Sequence, residues 1–404
     1  MEKKRVLIFS LAYFPNHVGG AEVAVKEITD RIDDIEFHLI TLHFDSTLPH
    51  ESREGNVQVH RIGFGAPHAE VAKTFTFRFY LSKIFFIPLA AMKAYKLHRA
   101  HAFDGAWAMM SYMQFPLALL RLLGMRIPYV LTIQEGDPFE HVFKRWHVAL
   151  FRPLLTYGFK HATVITTIST FLAGWARTIG FKGPVEVVPN AVDTTRFSEE
   201  VSERSVDLIR DRLEKKMGEV FLITTSRLVH KNAVDDVIRA LPRMPENVKF
   251  IVLGTGPDEE KLRTLAKKEG VTQRVVFVGH VSHEELPLYL HASDIFIRAS
   301  RSEGMGNSFV EAMAAGIPVV ATQEGGLSDF IFDEKRNPDK PITAWAVDKD
   351  SPEQIAGAVR AIMANPEKVR AVVATARALV VRAYDWSLIA QTMREKAFAL
   401  LWAQ

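Results

Sequence analysis

The sequence predicts an α/β protein made of two doubly wound domains, each built on a parallel sheet. Short apolar runs rich in β-branched residues alternate with helix-length periodic segments along all 404 residues. This alternation is typical of a parallel sheet with helices on both faces. The chain is also longer than one hydrophobic core commonly holds. Two successive strand-and-helix series therefore predict two domains.

Short apolar segments predict the individual strands. In the first half these are RVLIFS, FHLITL, VQVHRI, GAWAMM, PYVLTI and ATVITTI, and in the second half VFLITTS, KFIVLG, RVVFVG, DIFIRA and PVVAT. Pro-Asn and Asp-Thr turn signals in VEVVPNAVDTTRF break a short strand and separate the two series. We therefore expect domains at residues 1–188 and 198–384, joined by a linker at 189–197. Downstream, SEEVSERSVDLIRDRLEKK predicts an exposed helix, and YDWSLIAQTMREKAFALLW predicts a terminal helix with Asp385 as N-cap.

The composition is that of a soluble globular protein, with 48% hydrophobic and 24% charged residues. The absence of cysteine excludes disulfides, cysteine nucleophiles and thiolate metal sites. The apolar run from Val6 to Leu11 is too short for a secretory signal and has no small-residue cleavage site after it, so it predicts a buried strand. No segment offers the roughly 18 apolar residues that span a bilayer. We therefore expect a cytoplasmic protein.

Positive charge is concentrated in the first half. The formal net charge is +3, but residues 71–182 carry 14 Lys and Arg against four Asp and Glu. Aromatic and basic residues interleave there in TFTFRFYLSKIFFIPLAAMKAYKLHRAH and FKRWHVALFRPLLTYGFKHA. Peripheral contact with an anionic membrane, at its inner face, and two ordinary core helices are both consistent with this pattern. No recognised nucleic-acid motif accompanies the charge, so we expect no nucleic-acid partner.

The segment RSEGMGNSFVEAMAAGIPVVAT contains a predicted strand-to-helix turn. Gly304 and Gly306 let the backbone bend, and a helix is predicted from about Ser308 to Ala315 because Gly316 then ends it. The unpaired N–H groups at such a helix start bind anions, phosphates above all. These groups would belong to Asn307, Ser308 and Phe309.

Two glutamates flank this turn. Glu303 precedes it and Glu311 lies about one turn inside the helix. Ligands of open α/β sheets collect at the carboxyl edge of the strands, where this turn is predicted. Both carboxylates could therefore face a ligand whose phosphate lies between them, and carboxylate oxygens suit sugar hydroxyl groups.

Two further motifs offer phosphate-binding groups. SRLVHKN follows the strand VFLITTS and carries Arg227 and Lys231 four residues apart. If the turn is helical, both project from one side and could neutralise a diphosphate. In HVGGAEVAVKEI, Gly19 and Gly20 would let the backbone approach a phosphate or a sugar. An ordinary strand-to-helix turn is the alternative for this pair.

Taken in order, these motifs resemble those of a known family. GGAE, SRLVHKN, LGTGPDEEKL, VFVGHVSHEELPLYLHASDIFI and SEGMGNSFVEAMAAGIPVVAT are similar to the motifs of family 4 of the retaining glycosyltransferases, the glycosyl transferases group 1, which have the GT-B fold. The likeness covers nearly the whole chain and is strongest from Ser226 to Asp329. It implies two Rossmann-like domains facing across a cleft. It also implies that the C-terminal helix, about 385–404, packs back on the N-terminal domain.

The resemblance implies roles for individual residues. Arg227 and Lys231 would hold the diphosphate of a nucleotide sugar and Glu303 would contact the donor sugar, so these three would carry catalysis. Glu311 would bind the ribose hydroxyls. The other donor-binding positions that it implies are Gly19, Gly20, Gly254, His280, Val281, Gly304, Met305, Gly306, Asn307, Ser308 and Phe309, with the base against the loop at His280 and Gly20 facing the diphosphate.

The resemblance further implies no metal and no cofactor, with the nucleoside-diphosphate sugar as co-substrate. One position departs from the family. After the strand YVLTI the family commonly has a histidine at the acceptor side of the cleft, whereas this chain has Gln134 followed by Glu135. Glutamine can hydrogen-bond a sugar hydroxyl but cannot carry a proton. Gln134 and Glu135 are the predicted acceptor-side residues.

The expected function is a retaining, metal-independent glycosyltransferase that moves a sugar from a UDP- or GDP-linked donor to a glycan or a lipid-linked acceptor. A nucleotide-sugar epimerase of the same fold and a catalytically impaired nucleotide-sugar-binding protein are the alternatives. An NAD-dependent dehydrogenase would need G-x-G-x-x-G after the first strand, and the loop FSLAYFPNHVGGAE does not supply it.

Overall fold

The computed structural model describes residues 3–15, 19–67, 77–143, 146–198 and 201–403. The chain divides into two compact units. Unit 1 comprises Met1–Asn190 with Trp386–Gln404, and unit 2 comprises Ala191–Asp385. Each unit has its own sheet, and each is described separately below.

Unit 1 is built on an eight-stranded sheet in which only one edge pair is antiparallel. The strands are β1 (Lys4–Phe9), β2 (Ile35–Leu42), β3 (Glu51–Glu54), β4 (Val57–Ile62), β5 (Gly105–Met109), β6 (Tyr129–Ile133), β7 (Val164–Thr167) and β8 (Val185–Val187). Their order is β3-β4-β2-β1-β5-β6-β7-β8. After β1 the chain first adds strands on one side of it, β2 to β4, and then strands on its other side, β5 to β8. The strand order therefore reverses beside β1, which is the position where doubly wound sheets bind ligands.

The helices of unit 1 connect these strands. They are α1 (Gly20–Asp30), α2 (Phe77–His101), α3 (Phe115–Leu122), α4 (Phe139–Phe143), α5 (Trp146–His161) and α6 (Thr170–Thr178). The strands are covered on both faces, so Val6, Leu7, Ile8 and Phe9 of β1 are all fully buried. Within the described residues, no helix is both long and apolar enough to cross a bilayer.

Unit 2 is built on a six-stranded parallel sheet in the order β11-β10-β9-β12-β13-β14. The strands are β9 (Val220–Thr225), β10 (Val248–Leu253), β11 (Val275–Gly279), β12 (Ile295–Arg298), β13 (Val319–Ala321) and β14 (Trp345–Ala346). The helices are α7 (Thr194–Ser198), α8 (Glu203–Arg212), α9 (Val234–Ala240), α10 (Glu259–Lys268), α11 (Leu286–His291), α12 (Asn307–Ala314), α13 (Pro352–Ala364) and α14 (Pro366–Ala383).

The C-terminal segment of the chain belongs to unit 1. Helix α15 (Trp386–Lys396) contacts α1, and the 3₁₀ turn Phe398–Leu401 follows it. Phe398 is fully buried, and its ring centroid lies 5.8 Å from that of Phe37 and 5.4 Å from that of Trp107. Phe398 in this C-terminal turn therefore packs into the hydrophobic core of unit 1.

The predicted α/β class with two doubly wound domains is confirmed, and every predicted strand is present. Two strands were not predicted. β3 is polar and pairs at an edge, and β14 has two residues, so neither has a clear hydrophobic pattern. The short strand predicted before the linker is β8. Helix α7 begins inside the segment predicted as a linker, and Phe197 in it is fully buried. Residues 16–18, 74–76, 144–145 and 199–200 of the quoted segments lie outside the described residues.

Candidate functional site

The carboxyl end of β12 leads into helix α12, and Gly306 makes the turn between them. Gly306 has a φ of +84°, a conformation in which L side chains are strained. A Cβ atom there would lie 2.6 Å from the ring of Phe309 and 3.0 Å from Nη2 of Arg298. Both the backbone conformation and the packing therefore favour glycine at this position.

Glu303 lies in the same loop, and a buried arginine holds its carboxylate. Arg298, the last residue of β12, is 6% exposed, and its Nη2 donates to Glu303 Oε2 over 2.7 Å. Burial lowers the pKa of Arg298, and the carboxylates of Glu303 and Glu311 oppose this shift. The remaining partners of the guanidinium are Ser300 Oγ, Ser308 Oγ, the carbonyl of Thr225 and the ring of Phe309.

Glu311 lies inside α12 and is 8% exposed. Its Oε1 is 3.2 Å from Nε2 of His283, which belongs to the loop between β11 and α11. The ring of His283 lies 5.6 Å from the ring of Phe197. The second glutamate of the motif therefore has a histidine partner at the sheet edge.

One predicted anion-binding amide at the start of α12 is bound within the turn. The N–H of Phe309 donates to the carbonyl of Gly306 over 3.1 Å, so one predicted anion donor already has a partner inside the turn. The side chain of Met305 is 1% exposed, and Gly304 is also buried. The predicted contact of Met305 with a ligand is therefore limited to its backbone.

The turn after β9 carries the two predicted cations, but it is not α-helical. Lys231 lies in the 3₁₀ turn His230–Asn232, whereas Arg227 precedes this turn in an irregular segment and is exposed. The condition for that prediction, a helical turn that contains both residues, is therefore not met. The chain makes only a 3₁₀ turn before α9 begins at Val234.

Arg301 connects this turn to the loop that carries Glu303. The N–H of Arg301 donates to the carbonyl of Lys231 over 2.7 Å, and its Nη1 donates to the carbonyl of His230 over 2.7 Å. The first is a backbone hydrogen bond, and the second is charge-assisted because the guanidinium donates it. They fix the Lys231 turn and the Glu303 loop relative to each other. The acidic partners of this guanidinium are Asp235, Asp236 and Asp350.

Gly254 follows β10 and packs against the turn after β9. Its φ is +126°, and a Cβ atom there would lie 1.9 Å from the carbonyl oxygen of Ser226. Its N–H donates to the carbonyl of Gly279 over 2.7 Å. Just beyond β11, His280 is exposed and Val281 is half-buried. Since the strands are parallel, all of these loops lie at the carboxyl edge of the second sheet.

In unit 1, the glycine pair starts α1. Gly19 is the N-cap and Gly20 is the first helical residue. The N–H of Gly19 donates to Oε2 of Glu22 over 2.8 Å, so the helix's own carboxylate occupies this amide. Burial raises the pKa of Glu22, and its backbone hydrogen bonds, including the one from Gly19, oppose the shift.

The two acceptor-side residues follow β6. Nε2 of Gln134 donates to Oδ1 of Asn190 over 3.0 Å. Glu135 is 5% exposed, and its Oε1 accepts from the N–H of Ser111 over 2.8 Å. Burial raises the pKa of Glu135, and the hydrogen bonds from Ser111 oppose this shift. Glu135 therefore lies inside unit 1 with its carboxyl group away from solvent.

Sequence reasoning missed three of these residues. Arg298 and Arg301 position the predicted groups, and His283 contacts Glu311. For Arg298 the available signal was an arginine at the end of the otherwise apolar strand IFIR, since a buried charge requires a partner. Asn190, in the segment predicted as the linker, accepts a hydrogen bond from Gln134.

Comparison with known proteins gives matches in both units. The model of the glycosyl transferases group 1 matches residues 205–379, and that of glycosyltransferase family 4 matches residues 18–196. A GDP-mannose-dependent alpha-(1-6)-phosphatidylinositol monomannoside mannosyltransferase of Mycobacterium tuberculosis is 31% identical over 243 residues, which is 57% of this chain and 60% of that enzyme. The alpha-monoglucosyldiacylglycerol synthase of Streptococcus pneumoniae is 26% identical, over 82% of this chain and 74% of that enzyme.

Solved structures share the fold over the whole chain. The sucrose-phosphate synthase of Thermosynechococcus elongatus superposes with a TM-score of 0.81 at 17% identity, covering 100% of both chains. Anabaena HepE in complex with UDP-glucose gives 0.77 at 18% identity, covering 98% of this chain and 99% of the other. The chain spans 60% of the length of the mycobacterial relative, whereas the two family models together match most of its own length. The chain belongs to glycosyltransferase family 4, with the glycosyl transferases group 1 region in its second half.

Proposed function

We propose that this protein is a retaining glycosyltransferase that moves a sugar from a UDP- or GDP-linked donor to a glycan or lipid-linked acceptor in polysaccharide or glycolipid biosynthesis. The family membership supports the transferase class. The names of the relatives support a nucleotide-sugar donor, because one is GDP-mannose-dependent and another structure holds UDP-glucose. Both named enzymes of glycolipid synthesis also support a lipid-linked acceptor.

One observation carries the proposal for the donor. Arg301 ties the Lys231 turn to the loop of Glu303, so a cation and a carboxylate are fixed at one sheet edge, next to the start of α12. A nucleotide sugar needs this combination, because its diphosphate requires positive charge and its hydroxyls require acceptors. Arg227 and Lys231 would bind the diphosphate, Glu303 the sugar and Glu311 the ribose.

In the proposed reaction, the bond between the sugar C1 and the diphosphate oxygen breaks. The acceptor hydroxyl oxygen then bonds to C1 on the same face, and its proton passes to the departing phosphate. Negative charge grows on the diphosphate during this step, and Arg227, Lys231 and the first amides of α12 would stabilise it. Gln134 would orient a hydroxyl group and take no proton. We propose no metal in this scheme, because these cations and amides supply the positive charge.

The stereochemistry and the metal requirement can be tested without knowing the acceptor. UDP-glucose and GDP-mannose are incubated with the protein in EDTA, and slow donor hydrolysis is followed by ¹H NMR of the anomeric proton. The proposal predicts that the α-anomer appears first from one of the donors. First appearance of the β-anomer, or turnover only after a divalent metal is added, would contradict it. Donor binding without any turnover would support the impaired binding protein instead.

The surface of unit 1 supports contact with an anionic membrane. Helix α2 contains no Asp or Glu, and in its part from Leu81 onward, where burial is described, the exposed apolar residues include Ile84, Phe85, Met92 and Tyr95. Exposed Lys96 and Arg99 accompany them. Helix α2 contacts α3, which contacts α5, and Leu122 in α3, Leu123 after it and Phe151 in α5 are exposed as well. We propose that these three helices bring the enzyme to a lipid-linked acceptor.

Sedimentation with vesicles tests this surface. The wild type should co-sediment with vesicles containing anionic lipid at low salt, and the double variant Lys96→Glu/Arg99→Glu should lose about 1 kcal/mol of binding free energy per charge. Lys261→Glu/Arg370→Glu is the matched control, because these residues are 80% and 73% exposed on unit 2. Equal binding by both double variants, or no binding of the wild type, would remove the proposal.

A further inference from the structure

Arg298 is the most completely enclosed arginine at the candidate donor site. It ends β12 with 6% of its surface exposed, although an arginine in a buried strand normally costs free energy because it leaves water. The guanidinium compensates through four hydrogen bonds. Their acceptors are Glu303 Oε2 at 2.7 Å, Ser308 Oγ at 2.8 Å, Thr225 O at 3.0 Å and Ser300 Oγ at 3.1 Å.

These hydrogen bonds determine which carboxylate oxygen of Glu303 is open to a ligand. Oε2 is occupied by Arg298, while Oε1 has no hydrogen bond to any residue that the structure describes. The backbone of Glu303 is also fixed, because its carbonyl accepts from the N–H of Gly326 over 3.1 Å. A Cβ atom on Gly325 would lie 2.0 Å from that carbonyl. The carboxylate is therefore held from one side with the other oxygen open to a ligand.

The same guanidinium supports the first turn of α12. It donates to the Ser308 hydroxyl and stacks 4.4 Å from the centroid of the Phe309 ring. It also compensates the charges of Glu303 and Glu311, beside which a diphosphate anion would have to bind. Without a buried cation, two carboxylates next to an anionic ligand would repel it. Arg298 thus holds the Glu303 carboxylate, supports the start of α12 and compensates the negative charge of the two glutamates.

Building on the proposed function, we propose that Arg298 is a positioning residue that fixes the Glu303 carboxylate against the donor sugar. It does not touch the substrate in this scheme. Its role is to keep one carboxylate oxygen in place and to hold the α12 start beside the diphosphate. Misplacement of such a group by about 1 Å can cost about 100-fold in rate.

The test compares Arg298→Lys, Glu303→Gln and the double variant. Lysine keeps the charge but loses the planar guanidinium that reaches several acceptors. Arg298→Lys should lower kcat about 10- to 100-fold with a donor KM within about threefold of wild type, because positioning rather than binding is lost. The double variant should be no slower than Glu303→Gln alone, because residues that act through one another are not additive.

The binding of free UDP or GDP separates two kinds of failure. These nucleotides lack the sugar that Glu303 would contact, so Arg298→Lys should bind them within about threefold of wild type. If wild type binds neither nucleotide, the proposed function fails. Two results with a wild type that binds a nucleotide and transfers sugar would overturn the role of Arg298. One is a normal kcat in Arg298→Lys. The other is a double variant whose loss of kcat is the product of the losses in Arg298→Lys and Glu303→Gln.

Two further variants test whether a loss of kcat in Arg298→Lys has a purely structural cause. Arg274 donates to the carbonyls of Val248 and Pro245 in unit 2, so Arg274→Lys also removes a partly buried guanidinium but should leave kcat unchanged. Ser300→Ala removes only the acceptor of Arg298 Nε. If Arg298→Lys does not fold, Ser300→Ala should still lower kcat severalfold without adding to Glu303→Gln. An unchanged kcat in folded Ser300→Ala would overturn the proposal.

Discussion

At the scale of residues, the two candidate diphosphate cations differ in how they are held. Lys231 is half-buried in a 3₁₀ turn whose carbonyl groups are bound by Arg301, whereas Arg227 is exposed ahead of that turn. A pre-oriented cation contributes more to stabilising a developing charge, because less ordering is needed during the reaction. We therefore expect Lys231 to matter more for turnover than Arg227.

Substitution of Lys231 tests this directly. Lys231→Ala should reduce kcat by about 100- to 1,000-fold, as removal of a preorganised electrostatic contact does in other enzymes. Arg227→Ala should have a smaller effect on kcat and a larger effect on donor KM. Lys261→Ala serves as the control, because that side chain is 80% exposed. Near-normal steady-state turnover in folded Lys231→Ala would refute the assignment of this residue.

The sequence identified the chemical groups of the site but not their partners. Glu303, Gly306 and Glu311 were found because a glycine turn before a helix has a local pattern. Arg298 was missed because its contact with Glu303 depends on how the loop folds back, which no periodic pattern records. The helical turn considered for Arg227 and Lys231 is instead a 3₁₀ turn at His230–Asn232, since a four-residue spacing does not by itself specify an α-helix.

At the scale of elements, the start of α12 depends on Gly306. Gly306→Ala should destabilise the protein by about 1–3 kcal/mol, because alanine at a positive φ is strained and here also crowds a neighbouring ring. Gly270→Ala is the matched control, since its φ is +71° but nothing lies within 4 Å of a Cβ atom there. Denaturant titration should show a larger loss for Gly306→Ala. Equal losses would show that the packing against Phe309 and Arg298 is unimportant.

The β2–β4 pair contains a buried histidine pair. Nδ1 of His38 lies 3.1 Å from Nε2 of His60, and burial lowers the pKa of both side chains. Glu36 and Glu51 contact the two outer nitrogens and oppose the shifts. Lys93 and His60 hold the pKa of Glu51 at about 2. The other charged or titratable groups that face the pair are Arg5 and His101.

This pair predicts a pH-dependent stability. The unfolded histidines take up protons near pH 6.5, whereas the folded ones resist protonation, so the free energy of unfolding should fall as the pH drops below about 6.5. Urea titrations at pH 7.5 and 5.5 measure the loss. His38→Gln should flatten the dependence, and His280→Gln, at an exposed position, should leave it unchanged. Constant stability of the wild type across this range would contradict the prediction.

At the scale of the whole molecule, the order of strands was beyond local patterns. The apolar runs predicted which segments form the central strands, since these strands are buried on both faces. They could not show that β1 lies between β2 and β5, because that order depends on contacts between segments distant in the chain. Nor could they show that Phe398 enters the core beside Phe37 and Trp107.

The C-terminal segment should be required for the stability of unit 1. Phe398→Ala should cost about 3–5 kcal/mol, as large-to-small substitutions of buried phenylalanine do. Leu388→Ala in α15 is the control, because Leu388 is 40% exposed. Thermal unfolding of both variants measures the difference. A Phe398→Ala variant as stable as the control would show that the segment does not contribute to the core.

The central claim is that unit 2 binds a nucleoside diphosphate through the Lys231 turn and the start of α12. The most direct test is a thermal-shift panel of UDP, GDP, ADP, CMP and NAD, with and without EDTA, on the wild type and on Lys231→Ala. We expect one nucleoside diphosphate to raise the melting temperature of the wild type regardless of EDTA, because a ligand that binds only the folded state stabilises it, and we expect this shift to shrink in Lys231→Ala. A shift with NAD alone, no shift with any nucleotide, or an equal shift in Lys231→Ala would contradict the claim.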